Sequence, residues 1–523
     1  MELKQYLIQK KFQKAEAANQ ITIGEDYSLP EGKPDMAKIL QTKAELRMED
    51  VHPEKGKVKI RGKLEVQVLY LAERSAQMAA SLEMEFPFEE SLYIEGAATG
   101  DHLEIDWCME EWKVSMIHPG KLSVRGLVNL RAVLTETQSH QVTETLEGDS
   151  NTHTKTENLT MAEVVLERKD SYRIRDEVVL PVNKPNVSEI LWKDLQLRGL
   201  ELRVQEGRVA VKGEVLFLVV YEGEEDQTML QWLEQTIPFQ GTLEVPGLTP
   251  EMFGILETEI SHQNIELKPD YDGEMRMFQM EMLLDVHMHI YEERSRPVLR
   301  DAYNTKEQLQ LQRQEISYEK LRMCNYAKCR VSGQEHLEDE PGILQILGQH
   351  AQFMGKTSKV TDQGIVREGT LEVQVLYVTA NDRMPLGSMT VRIPYSQLIE
   401  IPEMKKEDRW KVSEILEQVF VSMPNGNQIE VRGVIGMNAC VLEQCRLQNI
   451  TDSSVQSYDV EEYKKRPGMV IHFVQPKESL WEIAKENRTT MEEIKKMNEL
   501  VVEEVVPGQK LLLIKPALDT LIS

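Results

Sequence analysis

Leu64-Glu65-Val66-Gln67-Val68-Leu69-Tyr70 recurs letter for letter as Leu371-Glu372-Val373-Gln374-Val375-Leu376-Tyr377, and a divergent copy, Val215-Leu216-Phe217-Leu218-Val219-Val220-Tyr221, lies between them. A chain that repeats one segment at intervals of about 150 residues is an array of one structural unit used three times. Pro34, Pro185 and Pro341 each stand 28 residues before Gly62, Gly213 and Gly369, and those glycines stand 25 residues before Pro87, Pro238 and Pro394. Constant spacing through variable sequence means constant backbone geometry, because insertions are tolerated only in surface loops.

The spacing of apolar residues predicts the elements of each unit. Met36, Ile39 and Leu40, then Val187, Ile190 and Leu191, then Ile343, Ile346 and Leu347 follow the marker prolines at i, i+3, i+4, which predicts a short helix with one apolar face. Val58, Ile60, Gly62, Leu64, Val66, Val68 and Tyr70 then alternate with mostly polar residues, as in a strand with one face in the core and the other largely wet. A glycine inside such a run in all three copies predicts a bent strand. A second Arg-Gly strand follows at Arg125-Gly126 and Arg432-Gly433; the matching stretch of the middle copy, Met275 to Ile290, has no glycine and is displaced by a few residues. The expected fold class is mainly β, with three tandem sandwich- or barrel-like modules, each carrying a short helix. The boundaries read from sequence are 1–138, 139–292 and 293–447, followed by a polar linker at 448–467 and a small α+β domain at 468–516.

A formal charge of -26 opposes binding to phosphate backbones and anionic membranes, so nucleic acid is not an expected partner. The longest apolar run, Val215 to Tyr221, is far short of the roughly 20 residues of a membrane-spanning helix. The N-terminus lacks the apolar stretch of a secretory signal, which leads us to expect a cytosolic chain. Five cysteines make no disulfide framework and are expected to remain mostly thiols there.

In the last segment, Ser479-Leu480-Trp481-Glu482 and Thr490-Met491-Glu492-Glu493 are capping boxes that start two helices between short strands. Leu480-Trp481-Glu482-Ile483-Ala484, Asn498-Glu499-Leu500 and Pro507-Gly508-Gln509-Lys510-Leu511 resemble the LysM family at its spacing. The resemblance implies a groove for N-acetylglucosamine polymers at Lys477, Glu478, Ser479 and Trp481 and at Asn498, Glu499 and Leu500. The usual Gly-Asp-Thr is here Lys477-Glu478-Ser479, a bulky substitution that favours a protein partner over a glycan. Trp481 has two readings: a partner-facing anchor or a staple of the first helix.

Three modules marked by Pro34, Gly62 and Tyr70, by Pro185, Gly213 and Tyr221, and by Pro341, Gly369 and Tyr377, followed by one LysM segment, resemble the SPOCS-domain spore-coat morphogenetic proteins of SipL type. That resemblance implies a non-enzymatic scaffold in the mother-cell cytoplasm of a spore-forming Firmicute, at the forespore surface. Its partners would be the stage IV morphogenetic ATPase, bound through LysM, and other coat proteins; a peptidoglycan-binding protein is the alternative. No phosphate loop, nucleophile elbow or His-Glu-x-x-His helix is present, and no cofactor is implied. Cys324 and Cys329, Cys440 and Cys445, and the pair His287 and His289 are the residues that could begin a metal site, although coincidence and an ordinary strand face account for them.

Overall fold

The computed structural model describes residues 1–73, 78–224, 230–337, 342–381, 385–457 and 467–514. The first module contains β1 (Glu2–Ile23), β2 (Asp26–Ser28), β3 (Met36–Glu54), β4 (Lys57–Ala72), β5 (Ala79–Tyr93), β6 (His102–His118) and β7 (Lys121–Glu147). The second contains β8 (Thr152–Val179), β9 (Val187–Gln205), β10 (Arg208–Gly223), β11 (Leu230–Glu244), β12 (Phe253–Pro269) and β13 (Met275–Asn304). The third contains β14 (Glu307–His336), β15 (Ile343–Thr361), β16 (Gly364–Thr379), β17 (Leu386–Glu400), β18 (Arg409–Asn425) and β19 (Gln428–Ser457). The C-terminal domain runs β20 (Met469–Phe473), α1 (Leu480–Asn487), α2 (Met491–Met497) and β21 (Lys510–Ile514). The chain is mainly β, as expected.

Each module is a sandwich of two antiparallel sheets. A meander, β3-β4-β5 and its copies β9-β10-β11 and β15-β16-β17, packs on a sheet centred on the module's last strand: β1-β7-β6, β8-β13-β12 and β14-β19-β18. In the first module Val58, Ile60, Leu64, Val66, Val68 and Tyr70 of β4 meet Leu122, Val124, Val128 and Leu130 of β7. The marker residues find their reason here. The Tyr70 hydroxyl donates to the carbonyl of Pro34 at 3.0 Å, and Tyr221 does the same to Pro185 at 3.3 Å, pinning the loop to the end of the central strand. Tyr377 is likewise fully buried, while Pro341 lies outside the described residues.

Each marker glycine pairs across the sheet with an aromatic residue that follows the second marker proline: Gly62 with Phe88, Gly213 with Phe239 and Gly369 with Tyr395. A Cβ on Gly62 would stand 2.3 Å from the Arg47 carbonyl oxygen and 2.9 Å from the Phe88 ring, so the glycine is the seat of the aromatic side chain. Opposite it the neighbouring strand bulges in every copy.

The predicted helices are corrected. Met36 begins β3, and Val187 and Ile343 begin its copies. Two successive bulges interrupt each strand, with register shifts at Met36/Lys38 and Ile39/Gln41 in the first and at Ile343/Gln345 and Ile346/Gly348 in the third. Each bulge adds a residue, so side chains three apart return to the same face. Met36 and Ile39 face the module's own core and Leu40 faces away from it, a division repeated by Val187, Ile190 and Leu191 and by Ile343, Ile346 and Leu347. Doubled bulges therefore imitate helical periodicity.

The boundaries are corrected too, because β7, β13 and β19 run through the positions 138/139, 292/293 and 447/448. Residues 448–457 of the expected linker are strand, paired with β14; residues 458–466 lie outside the described residues. In the middle module Met280 stands where Gly126 and Gly433 stand in the others, displaced by a longer β12–β13 hairpin through Asp270–Glu274. Positions for a Cβ on Gly126 and Gly433 lie 3.2 Å from Leu64 and Leu371. The middle module has the smaller Val215 there, which makes room for the buried Met280.

The three modules close on one another around a pseudo-threefold axis: β5 packs on β9, β11 on β15, and β17 on β3. Leu40, Leu191 and Leu347, equivalent in the three copies, meet in one apolar layer with Leu69, Val220 and Leu376. At the other end the ribbons β1–β7, β8–β13 and β14–β19 bury Ile8, Val142, Met161, Val298, Ile316 and Leu447 between them. The face of the central strand expected to be wet therefore turns partly toward the axis.

Gly62→Val should destabilise the protein by about 3 kcal/mol or more, since neither the Arg47 carbonyl nor the Phe88 ring can yield without breaking the sheet; chemical denaturation measures it.

Candidate functional site

Lys43, Asp194 and His350 each lie nine residues after their marker proline, and the fold brings all three together on the axis. Lys43 Nζ lies 2.7 Å from one Asp194 oxygen and His350 Nδ1 2.8 Å from the other, while Lys43 also pairs with Glu45 at 2.6 Å. Burial alone would raise the Asp194 carboxyl, but Lys43 and His350 outweigh it and hold it far below the usual carboxylate range. A second set follows: Lys411 of the third module reaches Asp106 of the first at 2.9 Å and Glu257 of the second at 2.6 Å. Lys11 joins Glu104 at 3.1 Å to Glu167 at 2.8 Å, and Arg409 joins Glu319 at 2.8 Å to the Tyr291 hydroxyl at 3.0 Å.

Most of these groups line a cavity of about 2520 Å³ to which all three modules contribute. Its acids Glu45 and Glu104 are held down by neighbouring cations despite their burial, as is Glu167 beside Lys11, to about 2, whereas burial raises Glu259. Carboxylates kept ionised in this way serve as ion-pair partners rather than as proton donors at neutral pH.

His287 and His289 both line this cavity, with His289 3.3 Å from Lys11 and 3.5 Å from Glu167. No group of three or more metal-ligating side chains occurs among the described residues. The two Cys-x4-Cys pairs meet only through one member of each. Cys324 and Cys440 sit opposite each other on β14 and β19 and are joined by a disulfide, contrary to the expectation of thiols. Cys329 lies in the core of the third module.

The C-terminal domain builds its core from Val474, Leu480, Ile483, Ala484, Ile494, Leu511 and Leu513, and both capping boxes form as predicted. Most of the predicted binding residues have internal partners. Ser479 caps α1, and Glu478 accepts from the backbone of Gln475 and from His472 at 2.8 Å each. Asn498 clamps α2 to β21: its amide donates to the carbonyls of Ile494 and Leu512 at 2.9 Å each and its oxygen accepts from the Leu512 N–H at 2.6 Å. Lys477 is exposed and retains the left-handed backbone, φ 69°, that suits a glycine. Glu499 is exposed and Leu500 half-buried, beside Val501 at 93% exposure and Val502 at 60%.

The reading of Trp481 as an exposed anchor is corrected, because the side chain is buried against the second module. Its indole N–H donates to Asp301 of β13 at 2.9 Å, and its ring meets Tyr303 edge-on at 4.9 Å. Apolar spacing could not reveal this contact, since Asp301 and Tyr303 precede Trp481 by about 180 residues.

Three β-sandwich modules with a βααβ appendix define a modular binding protein. The description "SipL, SPOCS domain" matches residues 35–117, 186–268 and 342–424, and "LysM domain" matches residues 472–513. The chain therefore carries three SipL-type SPOCS domains and a C-terminal LysM domain. No curated protein and no solved structure matches it. Its domains are of binding and scaffold type and fit a sporulation coat-associated protein. Among the described residues no helix is long and apolar enough to cross a membrane.

Two predictions follow from the buried polar groups. Lys43→Ala, which strips a fully buried carboxylate of its lysine, should cost about 3 kcal/mol in chemical denaturation. The depressed carboxyls stabilise the fold fully above their unfolded value near 4 and lose that stabilisation as pH falls through their folded range. Circular dichroism should therefore show unfolding beginning only below about pH 4.

Proposed function

We propose that this chain is a non-enzymatic scaffold of spore-coat assembly, acting in the mother-cell cytoplasm at the forespore surface, with its LysM domain contacting the stage IV morphogenetic ATPase. The observation that carries the reading is the LysM loop surface. Where a glycan groove has a glycine this chain has exposed Lys477, and the facing loop presents Glu499, Leu500, Val501 and Val502. Exposed apolar side chains rimmed by charges suit a protein partner. The three modules form the body that carries this surface; their own contacts with other coat proteins are part of the proposal.

The intact LysM fold supports the alternative, a peptidoglycan ligand. In a capture experiment the full chain should retain the purified ATPase, and Val501→Lys with Val502→Lys should weaken retention at least tenfold. The full chain should fail to sediment with insoluble peptidoglycan. Absence of ATPase capture would overturn the reading, and sedimentation with the polymer would establish the alternative.

A further inference from the structure

The LysM domain is seated on the tip of the second module's ribbon, and the contact has a definite chemistry. Asp301 takes the Trp481 indole N–H at 2.9 Å and the Lys485 ammonium at 2.8 Å on each oxygen. Tyr303, two residues further along the same strand, lays its ring edge-on to Trp481 at 4.9 Å and donates its hydroxyl to the Thr489 carbonyl at 2.9 Å. His153 stacks on Tyr303 at 5.1 Å from the neighbouring strand. In a strand, residues i and i+2 point to one face, so Asp301-Ala302-Tyr303 presents a carboxylate and a phenol side by side while Ala302 points away.

The receiving face belongs to the LysM domain alone. Trp481 and Lys485 lie four apart on α1 and so share one side of the helix. Thr489 supplies its carbonyl from the turn before α2. Leu480, Ile483, Ala484, Ile494, Leu511 and Leu513 form the domain core beneath, and Tyr303 of the ribbon is buried in the same cluster beside Trp481. Contacts between domains that rest on a few polar anchors behave like transient interfaces, and the covalent connection keeps the ribbon tip at high effective concentration.

We infer that the α1 face of the LysM domain is a receptor for an extended acidic-aromatic segment of the form Asp-x-Tyr, occupied in this chain by Asp301-Ala302-Tyr303. A protein partner carrying such a segment on an exposed strand competes with the ribbon tip for Trp481 and Lys485. The inference rests on the reading that the LysM domain takes a protein partner, and it adds the chemistry that partner presents and the internal contact it displaces. Burial tends to raise the Asp301 carboxyl, but Lys485 and the Trp481 N–H hold it below its usual value, so the seat is charged and closed at neutral pH.

The test uses the full chain and a fluorescein-labelled peptide with the sequence of residues 298–304. Asp301→Ala with Tyr303→Ala empties the seat, and the variant should bind the peptide at least tenfold more tightly than the unaltered chain in fluorescence anisotropy. Adding Lys485→Glu to it should abolish that gain. Equal binding by the emptied and unaltered chains, or a gain that survives Lys485→Glu, overturns the inference. Hydrogen exchange over 480–489 supplies a measure independent of the peptide: Tyr303→Phe, which removes only the hydroxyl, should raise exchange there while the three modules remain protected. Unchanged exchange counts against the seat. Capture of the morphogenetic ATPase should rise in the emptied variant; if neither form captures it, the functional reading fails while the peptide and exchange measurements still decide this one.

Discussion

A buried carboxylate at the centre of the protein organises everything around it. Asp194 is shielded from water and is held as an anion by Lys43 and His350 from the other two modules, with Gln196 of its own module also donating to it. Asp194, Lys43 and His350 come from three modules, so no module carries a satisfied axial face by itself. The same rule governs Lys411, which needs Asp106 and Glu257, and Lys11, which needs Glu167. Three identical modules would place three like charges at each level of the axis. The copies instead diverge at the axial charged positions, while the glycine seats and tyrosine pins that build each sandwich persist.

Geometry distributes function along this body. The ribbon strand β13 is 30 residues long, about 100 Å of extended chain. One end lies beside the Pro185 loop, where Arg276 bonds Pro181 and Asn186, and the other end holds the LysM domain through Asp301 and Tyr303. The ring of sandwiches and its ribbon bundle meet the LysM domain at the ribbon tip, through Asp301 and Tyr303. Ion pairs lining the interior cavity join modules more readily than they suggest chemistry.

Much of each module could be read from the chain. Alternation in β4 located the core face, and fixed spacing among proline, glycine and tyrosine signalled constant backbone geometry, whose reason the fold supplies in the tyrosine hydroxyl on the proline carbonyl. Capping boxes placed both LysM helices. The helix expected after each proline failed for a definite reason: two bulges in a strand give the same three- and four-residue intervals as a helix, and a pattern of apolar residues does not distinguish them. Trp481 stayed open between two readings, since whether a tryptophan faces a partner or its own chain depends on what lies opposite it.

The sequence by itself determined the number of modules, the alternating strand that marks each one, the glycine within it and the LysM appendix, because each of these rests on local spacing and side-chain alternation. Only the tertiary structure decided that the modules close into a ring, that Lys43, Asp194 and His350 are one cluster, and that Trp481 meets Asp301. Those contacts join residues some 150 to 180 positions apart, and they hold because pairing offsets the cost of taking the charges out of water, a balance that no local window of sequence records.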